Sequence, residues 1–293
     1  MKIARISHFS AFNEGEFNSR IEEEFVRRGH SYVRIPPDEI RITFAQHEFP
    51  ASHHEHNLAE FDLFDHALRG EDEWGWEVIA CLRDWNKPVL RPARVPYADK
   101  VTMARLFARA GIVVPRTAIA SDKAGAEAFI VQTGYPVIGK ARLGSKGRNV
   151  RMLKDETELE AFIEFTHAIA PSFLLQEVIY PLGRDVRAFV VGNNVVACME
   201  RYAAEGDFRA NYSLSKNASP TTLTPEEEKM VLAAADVYQV TYAGIDFIRT
   251  EKGPVVLEIN KAPGVQGIEA VTGLNVAGAI VEYYEKMTKE NAQ

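Results

Sequence analysis

Three side chains with oxygen donors stand out near the end of the chain. Asp246 lies in one predicted strand, and Glu258 and Asn260 lie in the next. Because strand side chains alternate between two faces, Glu258 and Asn260 share a face, and a hairpin pairing would bring Asp246 beside them. Carboxylate and amide oxygens suit Mg²⁺, which usually shares its coordination shell with substrate phosphates. The spacing alone leaves a second interpretation open, in which Asp246 and Glu258 are half-exposed residues of a polar strand face.

A basic segment in the middle of the chain could hold an anion. Lys140 ends an apolar strand, and the loop 143–148 that follows carries Lys146 and Arg148 among glycines. Glycine permits backbone N–H groups to approach a phosphate closely. The loop has neither a Walker A sequence nor the G-x-G-x-x-G fingerprint, so the standard phosphate motifs are absent. Taken alone, it is better interpreted as a flexible hairpin tip.

Apolar periodicity predicts the elements that must position these residues. A strand at 2–7, a helix at 19–29 and a strand at 31–35 form a β-α-β opening, which indicates a parallel sheet. Pro92 and Pro96 then mark a hinge-like connection. Further strands are predicted at 61–68, 87–90, 112–119, 136–140, 149–153, 173–177, 184–191, 195–200, 244–249 and 255–259. Further helices are predicted at 76–85, 100–110, 124–133, 156–165, 224–238 and 276–289.

The composition is that of an ordinary globular protein. The 293 residues include 34 Lys and Arg against 41 Asp and Glu, for a formal charge of −7, and 46% of them are apolar. Such a composition excludes a disordered or collagen-like chain. The acidic balance argues against general nucleic-acid binding, which needs clustered cations, but it permits one anionic ligand in a local basic pocket.

Cysteine usage and the chain's start bear on its compartment. The two cysteines, Cys81 and Cys198, lie in apolar segments, which excludes a disulfide scaffold and favours buried thiols in a reducing cytosol. Residues 1–6 form a short strand-like run that lacks the apolar stretch of a signal peptide. No window approaches the roughly 18 apolar residues of a membrane span. We therefore expect a cytoplasmic protein with no membrane and no nucleic-acid partner.

Several dispersed motifs occur in an order that resembles a known superfamily. They are ER at 200–201, EGDFRAN at 205–211, AGID at 243–246, LEINKAPG at 257–264 and GIE at 267–269. On these residues the chain resembles the ATP-grasp superfamily, and specifically its RimK-type alpha-L-glutamate ligase family, from Asp99 to about Ile280.

The resemblance implies a fold and a division of the chain. The implied class is α/β (α+β), an ATP-grasp fold preceded by a Rossmann-like pre-ATP-grasp domain. Three parts follow from it: an N-terminal domain over 1–98, a central ATP-grasp subdomain with a phosphate-covering loop over 99–175, and a C-terminal subdomain with the metal site over 176–293.

The resemblance also implies roles for individual residues. Those that match nucleotide-binding positions are Lys100 and Lys140 at the phosphates, Ser145 and Lys146 in the covering loop, Gln176, Glu177 and Val178 at the adenine edge, and Asp185 near the ribose. Those that match positions near the γ-phosphate and the reacting centre are Arg209, Asn211, Arg187 and Arg201. Asp246, Glu258 and Asn260 match the ligands of Mg²⁺ or Mn²⁺, with two ions, so the resemblance favours the metal site over a polar strand face.

The implied activity is ATP-dependent carboxylate–amine ligation. An acyl phosphate forms first, an amine then attacks it, and ADP and phosphate are released. The implied partners are ATP, an amino acid such as glutamate, and a carboxyl acceptor that is a small molecule, a peptide or a protein C-terminus, in a dimer or tetramer of the chain. Two alternatives remain: a non-catalytic ATP-binding regulatory module, and a ligase acting on a carrier protein or a peptide natural product.

Five of the eight histidines lie between residues 47 and 66, namely His47, His53, His54, His56 and His66. Imidazole and carboxylate groups are natural ligands of transition metals, so the run SHHEH at 52–56 could bind one. No distant Cys or His pair completes a standard spacing, and an exposed polar loop is the preferred interpretation.

Overall fold

The computed structural model describes residues 1–7, 19–44, 51–54, 56–66, 68, 72–90, 100–142, 150–168, 170–210, 216–261 and 263–290, and the side chains of all these except 19 and 56. Among the described helices, none has both the length and the apolar character needed to cross a bilayer. Cys81 and Cys198 are buried free thiols, as their apolar surroundings in the sequence predict.

A parallel sheet begins the chain, as the β-α-β pattern predicts. β1 (Lys2–Ile6) pairs in parallel with β2 (Ser31–Ile35) and with β6 (Leu63–His66). α1 (Ser19–Arg27) connects β1 to β2, and α2 (Glu73–Asp84) follows β6. Helix α2 begins earlier than predicted, because the Asp72 carboxylate accepts a hydrogen bond of 2.8 Å from the Gly75 N–H and caps the helix.

Between β2 and β6 lies a small antiparallel sheet that the sequence analysis missed. Its strands are β3 (Ile40–Ile42), β4 (Ala51–His53) and β5 (His56–Asn57), in the order β3-β4-β5. These strands have two or three residues each, too few for alternation to be visible in the sequence. The predicted strand 87–90 is present only as one parallel bridge, between Phe64 and Val89.

The middle of the chain forms an antiparallel sheet with the strand order β7-β10-β8-β9. Its elements are α3 (Lys100–Arg109), β7 (Thr117–Ala120), α4 (Lys123–Thr133), β8 (Val137–Ala141), β9 (Val150–Leu153), α5 (Glu156–His167) and β10 (Phe173–Glu177). Strand β7 begins well after the predicted start at residue 112, because Pro115 has no N–H to donate to a ladder. Phe129, Leu153, Phe162 and Phe173 fill the space between this sheet and its helices.

The last part of the chain forms a larger antiparallel sheet with the order β13-β12-β11-β14-β15. Its elements are β11 (Arg184–Val191), β12 (Asn194–Tyr202), β13 (Asn217–Pro220), α6 (Pro225–Tyr238), β14 (Tyr242–Thr250), β15 (Gly253–Asn260), α7 (Gln266–Thr272) and α8 (Val276–Glu290). Thr224 and Glu227 form a reciprocal capping box at the start of α6, as the sequence there predicts. The sequence analysis predicted neither β13 nor α7.

One hydrophobic core joins the first and the last sheets. Ile3 and Phe25, from the start of the chain, pack with Phe189, Tyr242 and Tyr284 from the last part. A separate core lies within the middle sheet, between its strands and helices α4 and α5. The boundaries at 98/99 and 175/176 stay a prediction.

Gly139, in the middle of β8, has no room for a side chain. A Cβ at this position would lie 2.9 Å from Leu153 Cδ1 and 2.9 Å from two ring carbons of Phe162. Gly139→Ala is therefore expected to lower the free energy of unfolding by about 1–3 kcal/mol, the usual cost of overpacking. Urea denaturation measures this change in the free energy of unfolding. Leu153→Ala should lower the free energy of unfolding less in a Gly139→Ala background than in the wild type. Strictly additive losses would contradict this steric explanation.

Candidate functional site

The three oxygen-bearing residues are brought together by the pairing of β14 with β15. Asp246 lies directly opposite Glu258, and Gly244 lies opposite Asn260, so all three side chains project from one face. Just beyond Asp246 the register shifts, because Phe247 pairs with Val256. This β-bulge interrupts the ladder beside the acids, as bulges near active sites often do. Asp246 is buried, Asn260 is half-buried and Glu258 is exposed.

Two arginines hold the buried carboxylate of Asp246. Arg187 is its register partner on β11 and donates to both carboxylate oxygens, from Nε at 2.7 Å and from Nη2 at 2.6 Å. Arg201 Nη2 lies 3.0 Å from Asp246 Oδ2. Arg201 also forms a two-pronged pair with Asp185, at 2.6 and 2.8 Å. The structure thus joins four of the predicted site residues in one charged network on one sheet face.

The pKa values of the two aspartates in this network are shifted in opposite directions. Burial alone would raise the pKa of Asp246, but Arg187 and Arg201 outweigh it and leave the pKa below its ordinary value. Burial raises the pKa of Asp185 to about 6, and the negative charge of Asp246 adds to this effect while Arg201 opposes it. Asp246 therefore stays ionised across the physiological range, whereas Asp185 gains its proton near pH 6.

Lys140 lies on β8 of the middle sheet. Its Nζ donates to Gln176 Oε1 at 2.5 Å, and Gln176 Nε2 donates to Thr117 Oγ1 at 3.0 Å. Burial lowers the pKa of the Lys140 ammonium to about 8. The negative charge of Glu258 raises this pKa, whereas the positive charge of Lys100 lowers it further. Lys140 therefore lies within electrostatic range of both the second predicted phosphate-binding lysine and one predicted metal ligand.

The strand predicted to meet adenine makes other contacts at its end. Glu177 exchanges hydrogen bonds with Arg116: its Oε1 accepts from the Arg116 N–H at 2.6 Å, and its own N–H donates to the Arg116 carbonyl at 3.0 Å. Val178 follows the strand and is half-buried. The side chain of Gln176 accepts the hydrogen bond from Lys140, and Gln176 has ladder partners on both β7 and β8. The adenine-edge role of this strand stays a prediction.

The remaining predicted residues lie between β12 and β13 or outside the described residues. Arg209 pairs with Asp207, with Nε 3.0 Å from Oδ1 and Nη2 2.8 Å from Oδ2. Ser145, Lys146 and Asn211 fall outside the part of the chain that the structure describes.

Two residues of this region were missed by the sequence analysis. Thr117 supports Gln176, and Asp207 anchors Arg209. The Asp-x-Arg spacing of 207–209 was a usable signal for the second pair, since an aspartate often bonds the residue two positions on. Thr117 carried no such signal, because its contact depends on the pairing of β7 with β10.

The donor set fits a hard divalent cation. It consists of oxygens only, which Mg²⁺ and Mn²⁺ favour over nitrogen or sulfur. A carboxylate offers about four lone-pair sites, and the arginines reach Asp246 Oδ1 once and Oδ2 twice, so Oδ1 keeps capacity for a further partner. Glu258 and Asn260 add two oxygens from the neighbouring strand.

Comparison with protein families identifies the chain's relatives. Residues 97–284 match the family model of the RimK-like ATP-grasp domain. A protein of Marinobacter nauticus named probable alpha-L-glutamate ligase is 31% identical over 297 residues, which cover 99% of this chain and 97% of the relative. A protein of the same name from Photobacterium profundum is 38% identical over 190 residues, 64% of this chain and 63% of the relative. The match to this second protein thus spans less than two thirds of its length.

Solved structures share the fold. The ATP-grasp ligase PsnB, solved in complex with a minimal precursor, superposes with a TM-score of 0.76 at 18% identity, over 98% of each chain. The same ligase has also been solved with Mg and ADP. This similarity confirms the predicted α/β ATP-grasp fold, and the family match with the full-length relative settles membership. The chain belongs to the RimK-like ATP-grasp family, in which the relatives described above are named as ligases.

Proposed function

We propose that this chain is an ATP-dependent carboxylate–amine ligase. The observation that carries the proposal is the electrostatic link between Lys140 of the middle sheet and Glu258 of the last sheet, with Lys100 also within range of Lys140. Phosphoryl transfer needs cations that offset the charge of the triphosphate and oxygen ligands that suit Mg²⁺. The family membership and the names of the relatives support the same activity.

Each cluster has its own task in this proposal. Lys100 and Lys140 neutralise phosphate oxygens of ATP, and Asp246, Glu258 and Asn260 hold Mg²⁺ or Mn²⁺. A divalent ion held by these oxygens would supply positive charge that offsets the charge of the triphosphate. Arg187 and Arg201 keep Asp246 ionised and fixed, and they present guanidinium groups at the reacting centre.

The proposed reaction has two steps. A carboxylate oxygen of the acceptor attacks the γ-phosphorus, and the bond to the bridging oxygen breaks to release ADP. The product is an acyl phosphate, whose leaving group is phosphate rather than oxide. A neutral amine then attacks the carbonyl carbon, phosphate departs, and the amine loses a proton as the amide forms. The protein positions these groups and stabilises the charge on the transferring phosphoryl group.

For the substrates, the comparisons favour glutamate as the amine and a peptide as one class of acceptor. The proposal of glutamate is supported by the names of the curated relatives. The proposal of a peptide is supported by the structural neighbour PsnB, which was solved with a precursor peptide.

An ADP-release screen tests the proposal directly. Amino acids are tested against small carboxylates, peptides and protein C-termini with ATP and Mg²⁺, and products are identified by mass. We expect one amine–acceptor pair to give ADP release together with a product of the amide's mass. ADP release from no combination, despite measured ATP binding, would contradict ligase activity and favour a nucleotide-binding module.

ATP affinity should depend on pH through Lys140. With a pKa of about 8, wild-type Lys140 is mostly charged at about pH 7 and mostly neutral at about pH 9. If only the charged form binds the triphosphate, the dissociation constant rises about tenfold over this range. Lys140→Arg keeps its charge and should flatten the dependence. Isothermal titration calorimetry at the two pH values measures the dissociation constant for ATP.

Lys261 supplies a matched control for that measurement. Burial lowers its pKa to about 8 as well, and its ammonium lies over the Tyr238 ring. Lys261→Arg is expected to keep the wild-type pH dependence of ATP binding. If Lys140→Arg loses as much ATP affinity at high pH as the wild type does, another group causes the pH dependence.

A further inference from the structure

Two histidines and a glutamate converge in the small antiparallel sheet near the start of the chain. Glu39 ends the short turn before β3, His53 is the last residue of β4, and His54 follows it. His53 Nε2 lies 2.9 Å from Glu39 Oε2, and His54 Nε2 lies 3.4 Å from the same oxygen. One potential ligand atom from each residue falls within 4.8 Å of the others.

This convergence is unusual for neighbours in sequence. Consecutive strand residues project to opposite faces, which would separate the two imidazoles. The backbone of His54 instead adopts the left-handed region, with φ of 51°. This turn brings the two rings together, with their centroids 4.2 Å apart. The β4–β5 ladder also places His56 opposite His53, so a third histidine lies at this hairpin.

The third member of the cluster arrives through β3. Ile40 is the register partner of His53 in the β3–β4 ladder, and Glu39 immediately precedes it. Glu39 and His54 are exposed and His53 is half-buried, so a solvated ion could reach all three side chains. The sequence analysis considered residues 52–56 alone and could not include Glu39, which joins the cluster only through strand pairing.

We propose that Glu39, His53 and His54 form a binding site for one divalent transition-metal ion of the zinc class. Two imidazoles and one carboxylate are a ligand set that suits Zn²⁺, and a water molecule can complete four-coordination. The acids on β14 and β15 offer oxygens only and suit Mg²⁺, so the two sites differ in metal preference. The bound ion would tie the residues before β3 to the hairpin of β4 and β5. This inference departs from the exposed polar loop favoured by the sequence, and it is independent of the proposed ligase activity.

Zinc binding by the full-length chain tests the proposal. The protein is stripped of metal with a chelator, supplied with saturating Mg²⁺ to occupy the oxygen site, and titrated with Zn²⁺ against a chromogenic competitor. We expect one competing Zn²⁺ per chain. His54→Asn should weaken this binding at least about tenfold, since loss even of an indirect contact to a metal ligand costs that much. Asparagine tolerates the left-handed backbone at this position, so the variant removes the imidazole without added strain.

Two further variants complete the experiment. Glu39→Gln removes the charged oxygen at an exposed position and should also weaken Zn²⁺ binding. His167→Asn removes an exposed histidine at the end of α5 and should bind Zn²⁺ as the wild type does. Zn²⁺ should raise the melting temperature of the wild type and of His167→Asn more than that of His54→Asn. Equal Zn²⁺ affinity in the wild type and both cluster variants, or no competing Zn²⁺ in the wild type, would overturn the proposal.

Discussion

Asp246→Asn is expected to reduce Mg²⁺-dependent ADP release by at least about 100-fold, the effect of removing one preorganised charged group from a reacting centre. Asparagine keeps the shape of the side chain but supplies no negative charge for a cation. Its amide would also place N–H donors against the guanidinium groups of Arg187 and Arg201, which now donate to the carboxylate. Initial rates of ADP formation with the pair found in the screen measure the effect.

Glu200→Gln is the matched control for this prediction. Glu200 lies on β12 beside Arg201 but projects to the opposite face, where it pairs with Arg184 at 2.8 Å. We expect its removal to leave ADP release within about twofold of wild type, because among the described contacts the Glu200 side chain touches neither Asp246 nor the two arginines that hold it. Equal losses in the two variants would show that Asp246 has no special role.

Glu258→Gln keeps the test decisive if Asp246→Asn folds poorly. Glu258 is exposed, so its substitution should disturb the fold less than substitution of the buried Asp246. It should also reduce ADP release strongly, and raising the Mg²⁺ concentration should partly restore the rate. A Glu258→Gln protein with wild-type turnover at limiting Mg²⁺ would contradict the metal assignment.

Arg201→Met is expected to lower the free energy of unfolding by about 3–5 kcal/mol, the cost of breaking a buried ion pair by removing one partner. Arg201 is 3% exposed and contacts the carboxylates of both Asp185 and Asp246. Methionine fills much of the volume but leaves Asp185 without its two-pronged partner. Guanidinium chloride denaturation, followed by circular dichroism, measures the change.

The effect should grow with pH, and its sign follows from Asp185. The folded-state pKa of about 6 lies above the ordinary value of 3.8, so between these values the folded chain binds more protons than the unfolded chain. Stability contributed by this group therefore falls as pH rises through that window. Without Arg201 the pKa rises further, and the variant should lose more stability at about pH 8 than at about pH 5.

Arg184→Met is the control for the second prediction. Arg184 lies on the same hairpin, but its side chain is 46% exposed and pairs only with Glu200 among the described contacts. The expected cost is below about 1 kcal/mol at either pH. A similar cost for Arg184→Met and Arg201→Met would show that the buried network adds nothing to stability.

Much of the sheet that carries the site could be predicted from the sequence. Glu258 and Asn260 are two residues apart in β15, so their common face followed from their spacing. The charge pairs could not be predicted in this way. Arg201 meets Asp185, and Arg187 meets Asp246, because β11 lies between β12 and β14 in a particular register. Register between distant strands depends on packing, which periodicity does not report.

The same reason explains the missed contacts elsewhere. Gln176 reaches Lys140 because β10 lies between β7 and β8, a strand order that departs from chain order. Glu39 reaches His53 through strands of three residues, too short to be visible as alternation. In each case the residue type was visible in the sequence, whereas its neighbour depended on the tertiary structure.

The core shared by the first and last sheets makes the folding unit larger than the segment that the family model matches. The family match begins at residue 97, yet Ile3, Phe25 and Leu63 are fully buried partners of Phe189 and Tyr284. If the matched segment were expressed alone, the apolar side chains of the last sheet that pack against residues 1–96 would be exposed to solvent. Such an exposed apolar face promotes aggregation. A design that transfers residues 97–284 to another protein must therefore also transfer the N-terminal residues that pack against them, or replace the exposed apolar residues with polar ones.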